Sequence, residues 1–476
     1  MDIVDEQVDR RPSVATSPAI RPVGELLRGR APLCPATATV RDAAVLMTTT
    51  RRRCVLVPLA DGSHGIVTEG DLTRRVVAAG LGPNTPVTAA MTSPVHTCPA
   101  DRLGADALRD MLECGVRTMP VLSARGEVLG IVEDADLLAG AARGGFLLRG
   151  AVARAADTDE LIATARQIPA LVLDLHRARV APTDVSAILS VIVDATVARA
   201  LDLVAARAAP DLTWLSLGSV ARREALPNSD LDTAVVVGAD IETDTVTALA
   251  ARVHDLLDSC GLRADAKGAT ADRTRFSRSH QRWLGAVEGW IADPFTDRGL
   301  VMLSMLADSR ETWGDGRPHL AEWVATRLRT APAATRLLLR QAVDEPARLH
   351  PLRRLLTRRT GNIDLKADAA MPVVNIARWA GICAGVSDRS TTGRLRAAAG
   401  TGLLLDDDAR VLSESFEVVQ QIRLRHQCEI LEQGHAVTDE IAAGSLTPLF
   451  RSLLSEAVRE IAGVQRRLSY AGPPAD

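Results

Sequence analysis

Residues 218–232 read GSVARREALPNSDLD, set between the apolar runs LTWLSL (212–217) and TAVVVG (233–238). Runs rich in Val, Leu and Trp, bounded by Gly, Pro, Asn and Asp, predict two β-strands joined by this segment. Strand alternation turns Asp230 and Asp232 to one face and Leu231 to the other. Two carboxylates held that close repel unless a cation lies between them, and magnesium suits such an oxygen pair. Upstream, Gly218 permits a tight turn, and Ser219 leads into a short turn whose N–H groups can meet a phosphate. Arg222 and Arg223 add positive charge, and Glu224 can orient one of the guanidiniums. The stretch is either a solvated loop between strands or a cradle for a triphosphate and its metal ions.

The ordered set Gly218, Ser219, Arg222, Glu224, Ser229, Asp230 and Asp232 favours the cradle. It resembles the nucleotidyltransferase superfamily that includes DNA polymerase beta, aminoglycoside nucleotidyltransferases and protein-PII uridylyltransferase, whose pattern is Gly-Ser, a spacer with Arg and Glu, then Ser/Thr-Asp-x-Asp. The resemblance implies that Asp230 and Asp232 hold two divalent ions, one gripping the triphosphate of an NTP and one lowering the pKa of an acceptor hydroxyl. That hydroxyl attacks the α-phosphorus in line, and pyrophosphate leaves. The resemblance also implies nucleotide or phosphate contacts at Gly218, Ser219, Arg222 and Ser229. A third carboxylate usually comes from a neighbouring strand; Asp265, at the end of GLRAD, is the candidate, with Asp272 behind it. The relatives carry a Cys- and Gly-containing segment here, and ADAKGATADRTRF (264–276) departs from it, which bears on turnover rather than on metal binding.

At 476 residues the chain suits about three domains of roughly 150 residues each. Hydrophobic residues at 47% and charged residues at 24% describe a globular protein rather than a disordered or membrane one. Aromatics are only 3%, Tyr470 is the sole tyrosine and the net charge is -3, which argues against a general nucleic-acid binder. Seven cysteines without CxxC spacing form neither a zinc knuckle nor a disulfide framework, and a reducing cytoplasm fits them. The N-terminus MDIVDEQVDRRPSVATSP has no signal-peptide pattern, residues 1–20 read as a disordered tail, and no stretch is suited to span a bilayer. Lys267 and Lys366 are the only lysines. Lys366, beside Asp364, is either a triphosphate contact or an ordinary surface ion pair.

The first third repeats itself: CPATATVRDAAVLM (34–47) returns as CPADRLGADALRDM (98–111), and HGIVTEGDL (64–72) as LGIVEDADL (129–137). Two copies at a period of about 65 residues predict a pseudo-two-fold pair rather than a solenoid. Each copy reads as an extended entry, an amphipathic helix, two strands and a closing helix. The residues resemble a tandem pair of CBS domains, a module that commonly binds adenine nucleotides. In that family's Gly-h-x-Thr/Ser-x-x-Asp signature, Thr68 and Asp71 match the ribose- and phosphate-contacting positions; in the second copy Asp136 remains while Glu133 replaces the hydroxyl residue. A carboxylate beside a phosphate is repulsive, so one competent nucleotide site at most is expected. Thr68 and Asp71 equally suit a helix cap.

Residues 146–210 read as helices bridging the CBS pair to the strand at 212, 243–259 as another helix, and everything beyond about 300 as helical. Over 22–465 the chain resembles bacterial signal-transduction proteins that join a CBS pair to a uridylyltransferase-like nucleotidyltransferase domain and a helical substrate-binding domain. DSRETWGD (308–315), DLKADAAMPVVNIARWAG (364–381) and IRLRHQ (422–427) match that family's landmarks. Arg423, Arg425, His426 and Gln427 cannot all share one helix face, so part of that cluster is solvated or structural. VHDLL (253–257) carries the His-Asp dipeptide of metal phosphohydrolases without a partner histidine and reads as helix surface.

The expectation is an α+β multidomain protein: tail 1–20, tandem CBS pair 21–145, helical connector 146–210, polymerase-beta-like domain 211–300 and all-helical domain 301–470. Its expected activity is Mg-dependent transfer of NMP from an NTP to a protein or small-molecule acceptor, governed by adenine nucleotide at the CBS pair. Neither nucleic acid nor membrane is an expected partner, and a homodimer is open. The alternatives are a non-catalytic nucleotide-binding regulator and, third, a transferase of the antibiotic-modifying kind.

Overall fold

The computed structural model describes residues 22–27, 29–137, 143–205, 211–238, 241–314, 320–344, 347, 362–442 and 444–471. The tail expected over 1–20 lies outside them. The chain divides into two compact units, one ending at Arg143 and the other beginning at Gly144.

In the first unit, strands β1 (Cys54–Pro58) and β2 (His64–Thr68) form an antiparallel hairpin. Strands β3 (Cys98–Pro99), β4 (Thr118–Leu122) and β5 (Val128–Glu133) form a sheet in which β3 runs parallel and β5 antiparallel to β4. The repeat is visible in three dimensions: helix Val40–Thr50 precedes the first hairpin, and helix Gly104–Cys114 the second. The earlier helix opens with a Thr39–Asp42 capping box and buries Val40, Ala43 and Met47 against Val55, Val57 and Val67. The later one ends on Gly115 at φ 68, a conformation that glycine adopts without steric cost.

The second unit is built on a sheet in the order β8-β7-β6-β9: β6 (Leu212–Ser216), β7 (Thr233–Val237), β8 (Ser277–Ser279) and β9 (Arg310–Trp313). β6 is antiparallel to β7 and β9, and β7 is parallel to β8. Every residue of β6 and β7 is buried because helices cover both faces. On one face Leu215, Leu217, Ala234 and Val236 share a core with Trp283, Val287 and Leu303, and the Trp283 indole N–H donates to the Val235 carbonyl at 2.9 Å. On the other, Trp214 lies 5.6 Å from the ring of His254 in helix Thr243–Ser259. That contact corrects the surface reading of VHDLL: His254 is buried and hydrogen-bonds Thr233 Oγ1 at 3.1 Å.

Two boundaries also change. The 146–210 helices are not a free-standing connector: helix Pro182–Ala205 is buried along most of its length and packs against helix Thr243–Ser259 and β9. The sheet recruits β9 from beyond residue 300, so the region that read as all-helical supplies one strand of the catalytic-type fold. Among the described residues beyond β9 the structure is mainly helical, with core helices Met371–Cys383, Asp406–Glu432 and Pro448–Ala471 and a small antiparallel ladder of β10 (Asn362–Asp364) and β11 (Glu440–Ala442). Among the described residues no helix is long and apolar enough to cross a membrane.

Candidate active site and ligand cavity

The β6–β7 register brings the two ends of GSVARREALPNSDLD together. Ser216 pairs with Thr233, and the next backbone N–H, that of Leu217, donates to the Asp232 carbonyl at 2.9 Å. Gly218 comes next at φ 58 and opens the one-turn helix Gly218–Ala221. A Cβ at 218 would collide with Asp232 Oδ2, so glycine is required both by backbone conformation and by the carboxylate pressed against it. Leu231 is buried, whereas Asp230 and Asp232 are both partly exposed, as alternation demands. Leu231 also bridges Ala264 in parallel: its N–H donates to the Arg263 carbonyl at 2.8 Å and its carbonyl accepts from Asp265 N at 3.2 Å. This is a single bridge rather than the strand that GLRAD suggests.

The bridge carries Asp265 to the carboxylate pair. Burial and then Asp265 push the Asp232 carboxyl up to about 6, against the pull of Lys366 and Arg222. Burial raises Asp230 as well, with Lys366 drawing it down and Asp265 driving it up; Arg263 and Lys267 act as further cations. Both lysines of the chain therefore bear on Asp230. One Asp265 oxygen accepts from Ala269 N at 2.9 Å. Among the described residues no three acidic, His or Cys side chains are closed to a metal-holding cluster. The donor set is nonetheless all oxygen, and two carboxylates whose charge is disfavoured by burial and by Asp265 fit a hard divalent cation.

Four residues read from the sequence as parts of the site, Arg222, Arg223, Ser229 and Asp272, have other work. Arg222 is buried, donating to Glu224 Oε2 and to Asp308 Oδ2, each at 2.8 Å, which corrects its reading as a phosphate contact. Asp308 accepts in addition from Arg378 and Arg394, at 2.7 and 2.5 Å, and Glu224 accepts from Thr391 N at 2.6 Å. Burial opposes the Asp308 charge, but Arg378, Arg394 and Arg222 hold its carboxyl well below the usual carboxylate range. Arg223 is likewise structural, paired with Asp194. Ser229 closes its own turn, its Oγ accepting from Leu226 N at 2.9 Å, while Asp272 pairs with Arg273 and acts on His254, not on the carboxylate pair. Sequence reasoning missed Asp308, Arg378 and Arg394 as partners of the cradle, although Asp308 and Arg378 lie inside two of the landmark segments.

In the first unit a cavity of about 390 Å³ opens between the two repeats, lined by Thr68, Asp71 and Arg74 from one and Arg117, Glu133 and Asp134 from the other. Thr68 and Asp71 form a capping box: Thr68 N and Oγ1 donate to Asp71 Oδ2 at 3.0 and 2.6 Å. Both the capping and the cavity-lining readings therefore describe them. Asp136 is not among the lining residues; its Oδ2 accepts from Glu133 N at 3.0 Å, the equivalent cap in the second copy. Glu133 is half-buried, and burial and Asp136 raise its carboxyl.

Comparison with known proteins matches family models to successive parts of the chain. The model described as "CBS domain" matches residues 23–78 and 87–142, "Putative nucleotidyltransferase DUF294" matches 166–297, and "Putative nucleotidyltransferase substrate binding domain" matches 332–471. An uncharacterized protein of Methanopyrus kandleri is 34% identical over 85 residues, which is 18% of this chain and 43% of that protein's length. A CBS-domain containing protein from Agrobacterium tumefaciens is 28% identical, with a TM-score of 0.23, over 24% of this chain and 94% of its own. A CBS domain protein from Pyrobaculum aerophilum, solved with AMP, is 25% identical, with a TM-score of 0.23, over 24% of this chain and 88% of its own. The three models match in chain order, so the chain carries a CBS pair, the putative nucleotidyltransferase domain DUF294 and its putative substrate-binding domain.

Proposed function

We propose that the chain is a Mg-dependent nucleotidyltransferase that moves an NMP from an NTP to an acceptor hydroxyl, and that its CBS pair binds an adenine nucleotide that regulates the transfer. The observation that carries this reading is the pressing of the Gly218 backbone against the Asp232 carboxylate, beside a partly exposed Asp230, with Lys366 acting on both carboxylates. Magnesium held by Asp230 and Asp232 would supply charge neutralisation on the triphosphate and acidify the acceptor hydroxyl. The backbone N–H groups at Gly218 and Ser219 receive a phosphate, and Lys366 offsets its charge. Asp265 raises the electrostatic demand for cations at the pair. In the CBS cavity, Arg74 and Arg117 supply cationic groups for a phosphate, and Glu133 disfavours a second one.

Incubation with Mg, each α-labelled NTP and a cell lysate tests transfer. Label on a protein or small molecule with the wild type, absent with Asp230→Ala/Asp232→Ala, is the expected result. Equal labelling by both proteins, or none with any NTP, would refute it. The engagement of one Asp265 oxygen by Ala269 N favours a second reading, nucleotide binding without turnover. That reading predicts NTP binding by the wild type with no label transferred.

A further inference from the structure

Asn228 stands two residues ahead of Asp230, yet its partners lie far along the chain. Its Nδ2 donates to Asp439 Oδ2 at 3.0 Å, its Oδ1 accepts from Gln427 Nε2 at 2.6 Å, and its backbone N donates to Gln427 Oε1 at 3.2 Å. Asp439 is buried at 6% exposure between β11 and helix Asp406–Glu432. Arg423 grips it with Nε on Oδ1 and Nη2 on Oδ2, both at 2.8 Å, and Gln427 Nε2 is the second donor to Oδ1, also at 2.8 Å. Each carboxylate oxygen thus takes two donors, which is its full hydrogen-bonding capacity.

The backbone of the same residue reaches the other half of the site. The Asp439 carbonyl accepts from Leu365 N at 3.1 Å, continuing the ladder in which Asp364 pairs with Glu440. Lys366 is the next residue, and it acts on Asp230 and Asp232 alike. One buried residue therefore touches, by side chain, the turn that leads into the carboxylates and, by main chain, the strand end that carries the lysine.

We propose that Asp439 is a positioning residue that fixes Lys366 relative to the Asp230/Asp232 pair by gripping Asn228 with its carboxylate and Leu365 with its carbonyl. This rests on reading that pair as the site for metal and triphosphate. Phosphoryl transfer depends almost entirely on placement and charge, so a shift of about 1 Å between lysine and carboxylates is worth on the order of 100-fold in rate. An acid is needed at 439 because only a carboxylate accepts from Arg423 twice while still accepting from Gln427 and Asn228.

A double-mutant cycle separates positioning from general stability. Binding of Mn with ATP, GTP, CTP or UTP is measured by calorimetry for the full chain and for Asn228→Ala, Lys366→Met and both together. Asn228→Ala leaves the Asp439–Arg423 pair intact and is chosen because it should fold. If Asn228 and Asp439 position the lysine, Lys366→Met weakens binding at least about five-fold in the wild-type background and much less in the Asn228→Ala background. Additive losses would overturn the proposal. Hydrogen exchange on Asp439→Asn gives a readout independent of nucleotide: peptides spanning 226–232 and 364–368 exchange faster together while β6 is unchanged. Acceleration in neither, or in only one, would also overturn it. If the wild type binds no Mn–nucleotide, the parent reading fails, and the exchange result alone decides the coupling of the two segments.

Discussion

Gly218 lies beneath the carboxylate of Asp232 so closely that no side chain fits between them. Its φ of 58 adds a second restriction. Gly218→Ala should cost about 1–2 kcal/mol through backbone strain. It should also push Asp232 away from Asp230 and weaken Mn–nucleotide binding more than ten-fold. Thermal denaturation and calorimetry on the same preparations measure the two effects.

Folding disfavours the ionised form of Asp232. Burial and Asp265 raise its carboxyl to about 6. A carboxyl raised on folding contributes stability that is fully present below its unfolded pKa of about 4 and is lost as pH rises through the folded value. The metal-free protein should therefore lose stability between about pH 4 and pH 7. Asp232→Asn should be more stable than the wild type at pH 7, by roughly 1–3 kcal/mol, and should flatten that dependence. Denaturant titrations in EDTA across the pH range test this.

Asp308 ties the turn after the cradle to the helices Met371–Cys383 and Thr391–Ala398. Removing one member of a buried charge network strands its partners, so Asp308→Ala should cost about 3–5 kcal/mol. Glu414→Ala, which breaks the exposed pair with Arg410, should cost under about 0.5 kcal/mol. Because the Asp308 carboxyl is depressed on folding, its contribution is complete above about pH 4 and declines as pH falls towards its folded value. Equilibrium unfolding of both variants provides the comparison.

Much of the site was legible because its parts are local. Gly218 and Asp232 sit at opposite ends of one turn between two strands, and alternation around Leu231 sets the carboxylates side by side. Asp265 followed from reading GLRAD as a strand, of which the structure keeps only the bridge at Ala264. Arg222 was misread because its partner Asp308 is 86 residues away, and a guanidinium in a loop looks the same in sequence whether it meets phosphate or a buried carboxylate. β9 escaped because four residues in a helical neighbourhood carry no period, and its hydrogen bonds come from β6. Helix Pro182–Ala205 showed helical periodicity but not its partner, and His254 showed a dipeptide rather than the face it occupies.

Glu133 should make ligand binding in the CBS cavity depend on pH. Its carboxyl is raised by burial and by Asp136, so lowering the pH neutralises it before an ordinary glutamate and removes a charge that repels phosphate. AMP should bind more tightly at pH 5 than at pH 8. Glu133→Gln should bind AMP more tightly at pH 8 and abolish most of the difference. Calorimetry with AMP at both pH values reads this directly.

On the proposed function, Asp230 and Asp232 together hold divalent ions with a nucleotide. Electron paramagnetic resonance titration of Mn into the full chain, with a non-transferable NTP analogue, tests it most directly. Nucleotide-dependent Mn binding by the wild type is expected to disappear in Asp230→Asn/Asp232→Asn while the fold, followed by circular dichroism, persists. Undiminished Mn binding in that double variant would contradict it.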